Sequence, residues 1–198
     1  MSNGFPICRL CHDSLSGHHS LCHNCLSHRD RLGHLPVPVL ALPLFDRQHP
    51  LRDALHAYKD ETSPDFIPSQ QALTVRLAQQ LKPLIPTGVT VTTVPSTRRH
   101  NHLHDVATSA GLNPIHTLQP RYPRAERIAD PGRFRTITGL TESPPLLVLE
   151  DAYVTGSTAQ SAAHALIEAG ATVTGIAAIG RRINPQYAPE HPIFNAAK

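Results

Sequence analysis

The chain has no tryptophan, one methionine and only nine phenylalanine and tyrosine residues among 198. Proteins that hold single-stranded nucleic acid stack bases on aromatic side chains, so this composition weighs against that use. Lysine is nearly missing too: of 18 basic residues only Lys59, Lys82 and Lys198 are lysine. An arginine bias favours bidentate contacts with phosphate or carboxylate, though a composition rich in Arg, His, Ala and Pro explains the ratio equally well. The formal charge of +3 identifies no partner. No apolar run approaches the roughly 20 residues of a membrane-spanning helix. The longest are Leu146 to Leu149 and short stretches around Leu40. The opening MSNGFPICRL has no signal-peptide pattern, so a cytoplasmic location is expected. No internal repeat is visible. What remains is a chain 40% hydrophobic, enough to build a core.

Cysteine is absent after residue 25, and the four that precede it are spaced as Cys8-x2-Cys11 and Cys22-x2-Cys25. Two such pairs bring four thiolates within reach of one tetrahedral ion and leave no open position for a reactive water, the pattern of a structural zinc. Two disulfides fit a reducing compartment poorly, and a redox pair lacks the surrounding βαβ pattern. His12, His18, His19, His23 and His28 crowd the same segment and are alternative ligands. About 30 residues cannot build a core of their own, so metal binding is expected to supply the folding energy of this segment.

HLPVPVLALPLF, residues 34–45, is proline-broken and reads as a linker that becomes an edge strand. The boundary is placed at His34, giving a four-cysteine segment over 1–34 and a second domain over 35–198. Leu51, Ala54, Leu55 and Tyr58 fall at helical spacing, which makes Tyr58 a core residue. A second helix is expected with Ser69 as its N-cap and Leu73, Leu77 and Leu81 on one face. VTVTTVP is a short β-branched strand, HLHDVATSAG a helix closed by Gly111, and PIHTLQ a further candidate strand. Residues 121–135 hold five arginines with little periodicity and read as a long loop. LLVLED is a buried strand, STAQSAAHALIEAG a helix closed by Gly170, and ATVTGIAAIG the next strand. Alternating strands and helices imply an α/β domain with a mostly parallel sheet covered on both faces.

In such a sheet ligands bind outside the carboxyl ends of the strands, which is where LLVLEDAYVTGST places Glu150 and Asp151. Thr155, Gly156, Ser157 and Thr158 turn into the following helix, whose N-terminal N–H groups suit an anion such as phosphate. Two carboxylates suit hydroxyls or a metal. Together the halves fit a ribose 5-phosphate, although Asp151 could also serve as a simple complement to the helix dipole.

This stretch resembles the phosphoribosyl pyrophosphate (PRPP) loop of type I phosphoribosyltransferases: an apolar strand, two acids, three variable residues, then Thr-Gly-x-Thr. The order of segments, with four cysteines first, then HAYKD, VPSTRR, AERIADPGRF and this loop, resembles the ComF family of competence-associated, amidophosphoribosyltransferase-like proteins over nearly the full length. The resemblance implies a sheet of the type I phosphoribosyltransferase kind preceded by a zinc-ribbon-like segment. It also implies that Glu150 and Asp151 hold the ribose hydroxyls directly or through magnesium, and that Val154 to Thr158 hold the 5-phosphate. Arg98 and Arg99 would lie beside the pyrophosphate, and Arg121, Arg124, Arg127 and Arg133 in a loop that closes over the site and excludes water. Glu150 and Val154 stand where the family often has aspartate and threonine, and HNHLHD replaces an Arg-Gly-Phe-Asn-like run. His100, His102 and His104 of that run are equally surface residues or catalytic bases.

Two functions follow from the resemblance. One is a magnesium-dependent phosphoribosyl transfer from PRPP with release of pyrophosphate. The other is a non-catalytic DNA uptake, competence or recombination factor that keeps the fold to bind a ligand, single-stranded DNA or a protein partner. Arg181 and Arg182, at the end of the last strand, either border the site or are solvated.

Overall fold

The computed structural model describes residues 7–13, 15, 20–44, 50–96, 100–121, 128–137, 140 and 143–182. Four strands form one parallel sheet in the order β1 (Val39–Leu44), β6 (Val173–Arg182), β5 (Leu146–Tyr153), β2 (Thr90–Thr93). Strand β5 is therefore interior. It is flanked by β6, with Glu150 opposite Ala178, and by β2, with Thr93 opposite Leu149. A strand buried on both faces has no reason to alternate apolar with polar residues, and Leu146 to Leu149 are all buried. Their side chains alternate between layers. Leu146 and Val148 join one apolar cluster, Leu147 and Leu149 the other.

The first layer is built on α5 (Ser157–Glu168), whose Ala159, Ala162, Ala163 and Leu166 are buried against the sheet. Alanines allow the helix to lie close to the strands. After its last turn Gly170 takes φ +88°, and the Ala171 N–H returns to the Leu166 carbonyl at 3.0 Å. The second layer holds α2 (Pro50–Ala57), α3 (Phe66–Arg76) and α4 (His102–Ser109). Leu73, Leu77 and Leu81 are fully buried there, the last two on a π-helical turn, Leu77–Leu81, that extends α3. Gly111 closes α4 with φ +75°, and Lys82 Nζ donates to the carbonyls of Ala110 and Gly111 at 3.2 and 3.0 Å. Gly180 on β6 lets α2 settle onto the sheet, since a Cβ there would stand 3.0 Å from Leu55.

Two expectations need correction. Ser69 is not an N-cap: α3 begins at Phe66 behind Asp65, and Ser69 is buried within it. Pro68 sits in the first turn, where its missing N–H removes a donor that has no helical partner anyway. Second, the expected loop over 121–135 follows one strand directly and ends inside another, Phe134 and Arg135 being paired. Strand β3 (Leu118–Pro120) runs antiparallel to β4 (Phe134–Thr136), with Gln119 opposite Arg135. The candidate strand PIHTLQ overlaps β3 at Leu118 and Gln119, whereas the three residues of β4 carry too little alternation to be read from sequence. This hairpin rests on α5: the Asp130 N–H donates to Ser161 Oγ at 2.9 Å.

Helix α1 (His23–Leu32) starts within the second cysteine pair, with Cys22 at its N-cap and Cys25 in its first turn, and ends at Gly33, φ +75°. The cysteine segment shares the apolar cluster of α5, in which Cys8, Cys11, Cys22 and Cys25 pack with Val39, Tyr153 and Ala159. The Leu10 carbonyl accepts from the Val39 N–H at 2.8 Å, so the first cysteine turn covers part of the β1 edge. No helix among the described residues is long and apolar enough to cross a membrane.

Candidate functional site

Strand β5 delivers two acids to its carboxyl end. Glu150 is 7% exposed, and Asp151, half-buried, is held from the α2 side. The Tyr58 hydroxyl donates to Asp151 Oδ2 at 2.8 Å, and Lys59 Nζ forms an ion pair with the same oxygen. Tyr58 is only 1% exposed and belongs to the second core layer, so it is both a core residue and a contact. A short helix packed on the sheet thus fixes the orientation of one carboxylate from 93 residues away.

Beyond the acids the chain reaches Tyr153, then Val154, which is exposed, and half-buried Thr155. Gly156 adopts φ +82°, and a Cβ at this position would lie 2.1 Å from ring atoms of Tyr153. Only glycine satisfies both the left-handed backbone and that close approach. Helix α5 starts at once. Thr155 Oγ1 is 3.3 Å from Ser157 Oγ, Ser157 is fully buried, and Thr158 is half-buried at the first turn. The first N–H groups of the helix have no helical acceptor and create a positive end beside the two acids. The end of β5 and the start of α5 therefore bring two carboxylates, the hydroxyls of Thr155, Ser157 and Thr158 and the free N–H groups of a helix start into one short stretch, residues 150–158.

The turn is supported from below. His28 Nε2–H donates to the Thr155 carbonyl at 2.8 Å, an assignment that follows because a carbonyl only accepts. Burial pushes the pKa of His28 down, with the Thr155 hydrogen bond opposing, which favours the neutral ring. Arg181 is 1% exposed. It donates to the carbonyls of Tyr153 and Val154 at 3.4 and 3.5 Å, lies over the Tyr153 ring, and reaches Cys11 Sγ at 3.5 Å and Asp13 at 3.3 Å. Gln160 acts like a length of backbone: its amide exchanges hydrogen bonds of 2.9 and 3.0 Å with Val37.

The four cysteines converge. Cys8 and Cys25 sulfurs lie 3.6 Å apart, Cys11 and Cys22 sulfurs 3.5 Å, and all four are buried, within 4.8 Å of one another, and free of disulfides. A tetrahedral ion at the usual zinc–sulfur distance would set sulfurs about 3.8 Å apart. The four sulfurs are therefore spaced to hold such an ion. Their ionisation is split: hydrogen bonding, chiefly from Cys11, holds Cys8 and Cys22 down, while Cys22 pushes Cys11 up and Cys11 pushes Cys25 up. Without a cation the cluster resists carrying its full negative charge.

Of the other expected site residues, Arg98, Arg99, Arg124 and Arg127 lie outside the described residues. Arg133, expected in a closing loop, is buried at the start of β4 with its guanidinium 5.5 Å from the Phe134 ring centroid. Arg121 and Arg182 are exposed. Of the two readings of Arg181, bordering the site or solvated, the buried position beside Tyr153 and Val154 fits the first. Sequence reasoning missed Tyr58 and Lys59 as partners of Asp151 and His28 as a support of the turn. Nothing in local spacing points to them, because each acts across the fold.

No family model matches the chain, and no curated protein matches it. Among solved structures, the chain is similar to adenine phosphoribosyltransferase from Leishmania tarentolae at 14% identity and a TM-score of 0.41, over 76% of this chain and 94% of that one.

Proposed function

We propose that this chain binds PRPP and transfers its phosphoribosyl group, with release of pyrophosphate, as a ComF-like member of the type I phosphoribosyltransferases. The observation that carries the proposal is the end of β5. Two carboxylates, one clamped by Tyr58 and Lys59, stand before a left-handed glycine turn that opens directly into α5. Glu150 and Asp151 take the ribose hydroxyls. Thr155, Thr158 and the backbone of the turn take the 5-phosphate, with Ser157 packed beneath and Val154 at the rim.

At C1 a nucleophile forms its bond as the bond to the pyrophosphate oxygen breaks, and positive charge develops on the sugar. Negative charge fixed nearby favours that state over the bound substrate. Preorganisation matters here, because Asp151 is already oriented by two groups and need not reorder during reaction. Magnesium prefers oxygen ligands, and Glu150 and Asp151 offer only oxygen; bound with PRPP, the ion would neutralise charge on the departing pyrophosphate. Zinc at Cys8, Cys11, Cys22 and Cys25 is assigned a structural role, since four sulfurs fill its coordination.

Pyrophosphate release from PRPP, measured with purine, pyrimidine and amine acceptors, tests the proposal. Acceptor-dependent release that is abolished in Asp151→Asn supports transfer; absence of release with every acceptor class contradicts it.

A further inference from the structure

The histidine run after β2 has no part in the chemistry above, yet the fold gathers it. Asn101 Nδ2 donates to Thr93 Oγ1 at 3.1 Å and pins the start of α4 to the carboxyl end of β2. His102 and Asp105 are three residues apart on the first turn of that helix and so share a face. His100, just ahead of the helix, returns to the same place: its Nε2 lies 2.6 Å from Asp105 Oδ2, and its ring centroid is 4.8 Å from that of His102. One donor atom from each of the three residues lies within 4.8 Å of the others.

His102 is the rigid member. It is 6% exposed, packed edge-on against Phe66 with centroids 5.3 Å apart, and its Nε2 stands 3.5 Å from Glu61 Oε1 on another segment. His100 is exposed and Asp105 partly so, which leaves a path for an ion to enter. Two imidazoles and a carboxylate, with a second carboxylate alongside, are the donors that borderline divalent transition ions select; magnesium and calcium select oxygen alone.

We propose that His100, His102 and Asp105, with Glu61 beside them, form a second metal site of this protein, for a divalent transition ion of the zinc, nickel or cobalt class. The ion replaces the His100–Asp105 hydrogen bond and is held by neutral imidazole nitrogens and carboxylate oxygen. The site stands at the carboxyl end of β2, the strand beside β5. It rests on its own donors and is independent of the PRPP proposal.

The test uses the full chain with zinc at its cysteines, titrated with Co2+ at neutral pH by calorimetry and absorption. Cobalt on imidazole and carboxylate gives weak visible bands, whereas cobalt on cysteine adds intense thiolate charge-transfer absorption in the near ultraviolet. The expected result is one Co2+ per chain without thiolate bands. His100→Ala and Asp105→Asn, both at solvent-accessible positions, should each weaken it by about tenfold or more, the scale on which metal sites respond to loss of a supporting group. His116→Ala is the control, because the His104–His116 pair, stacked with centroids 3.9 Å apart, is the neighbouring source of imidazole. Unchanged affinity in His116→Ala supports the site. The proposal is overturned by no saturable binding, by thiolate bands alone, by unchanged affinity in His100→Ala and Asp105→Asn, or by binding that depends on His116.

Discussion

The phenol of Tyr58 donates to Oδ2 of Asp151 at 2.8 Å, joining the end of α2 to the end of β5 at the edge of the candidate crevice. The bond ties core packing to the orientation of a candidate site carboxylate, because the Tyr58 ring is buried among leucines of the second layer.

Tyr58→Phe keeps the ring and removes only the bond. A loss of about 1 kcal/mol of stability is expected, the usual net value of one hydrogen bond. Affinity for PRPP should fall at the same time, because Lys59 alone then holds Asp151. Tyr58→Ala should be more damaging, by about 3–5 kcal/mol, since it also leaves a cavity. Urea unfolding of the two variants checks the order; equal losses would show that the ring contributes nothing beyond its hydroxyl, and an unchanged Tyr58→Phe that the hydroxyl contributes nothing.

Gly156→Ala forces a side chain into the left-handed region, at about 1–2 kcal/mol, before any clash is counted. The clash is with Tyr153, 2.1 Å away and itself locked beneath Arg181. A fall in Tm of about 4 °C or more is expected for a chain of this size. Calorimetric melting checks it, and an unchanged Tm would mean that the turn has another conformation.

Metal content should be one zinc per chain, held by Cys8, Cys11, Cys22 and Cys25, by elemental analysis of protein with His100 and Asp105 replaced. Removing that ion with a chelator, or by Cys11→Ser, should lower Tm and also weaken PRPP binding. The second effect is expected because Arg181 spans from Cys11 to the carbonyls of Tyr153 and Val154, and His28 reaches Thr155 from the helix after Cys22. Metal loss that leaves PRPP affinity intact would show that the two regions are independent.

The elements that carry the candidate site were legible in the sequence, and the reasons are local. Leu146 to Leu149 followed by Glu150, Asp151 and a Thr-Gly-Ser-Thr turn is a contiguous signal, since strand, acids and helix start lie within one short stretch. The cysteine spacing is similarly self-contained. The parallel α/β sheet followed from alternation of strand and helix patterns. What could not be read depends on tertiary closure. Tyr58 looked like one more apolar residue on a helical face, and only the packing of α2 over Gly180 brings its hydroxyl to Asp151. Arg181 read equally as bordering the site or as a solvated strand end, and only the parallel pairing of β6 with β5 decides it, by placing the residue opposite Tyr153 and beneath the cysteine segment. Strand β3 was legible only in part, through PIHTLQ, and β4 is too short for alternation to show.

Acid should destabilise the fold from near neutrality. Burial lowers the pKa of His28, His104 and His164, with His116 adding to the effect on His104 and His34 adding to it on His164. Each binds a proton more readily in the unfolded chain. Their contribution is therefore complete above the ordinary imidazole value of about 6.5 and declines as pH falls through and below it. His164→Gln, which removes one such group away from the cysteines, should flatten the dependence. Unfolding measured across pH 5.5 to 8 checks this, and stability that rises toward acid would contradict it.

The measurement that bears most directly on the crevice is calorimetric titration of the zinc-loaded protein with PRPP, with and without magnesium, beside Asp151→Asn. Saturable binding that requires magnesium and disappears in the variant is the expected result. No binding of PRPP to the folded wild-type protein under either condition would contradict the assignment of the β5–α5 turn as a phosphoribosyl site.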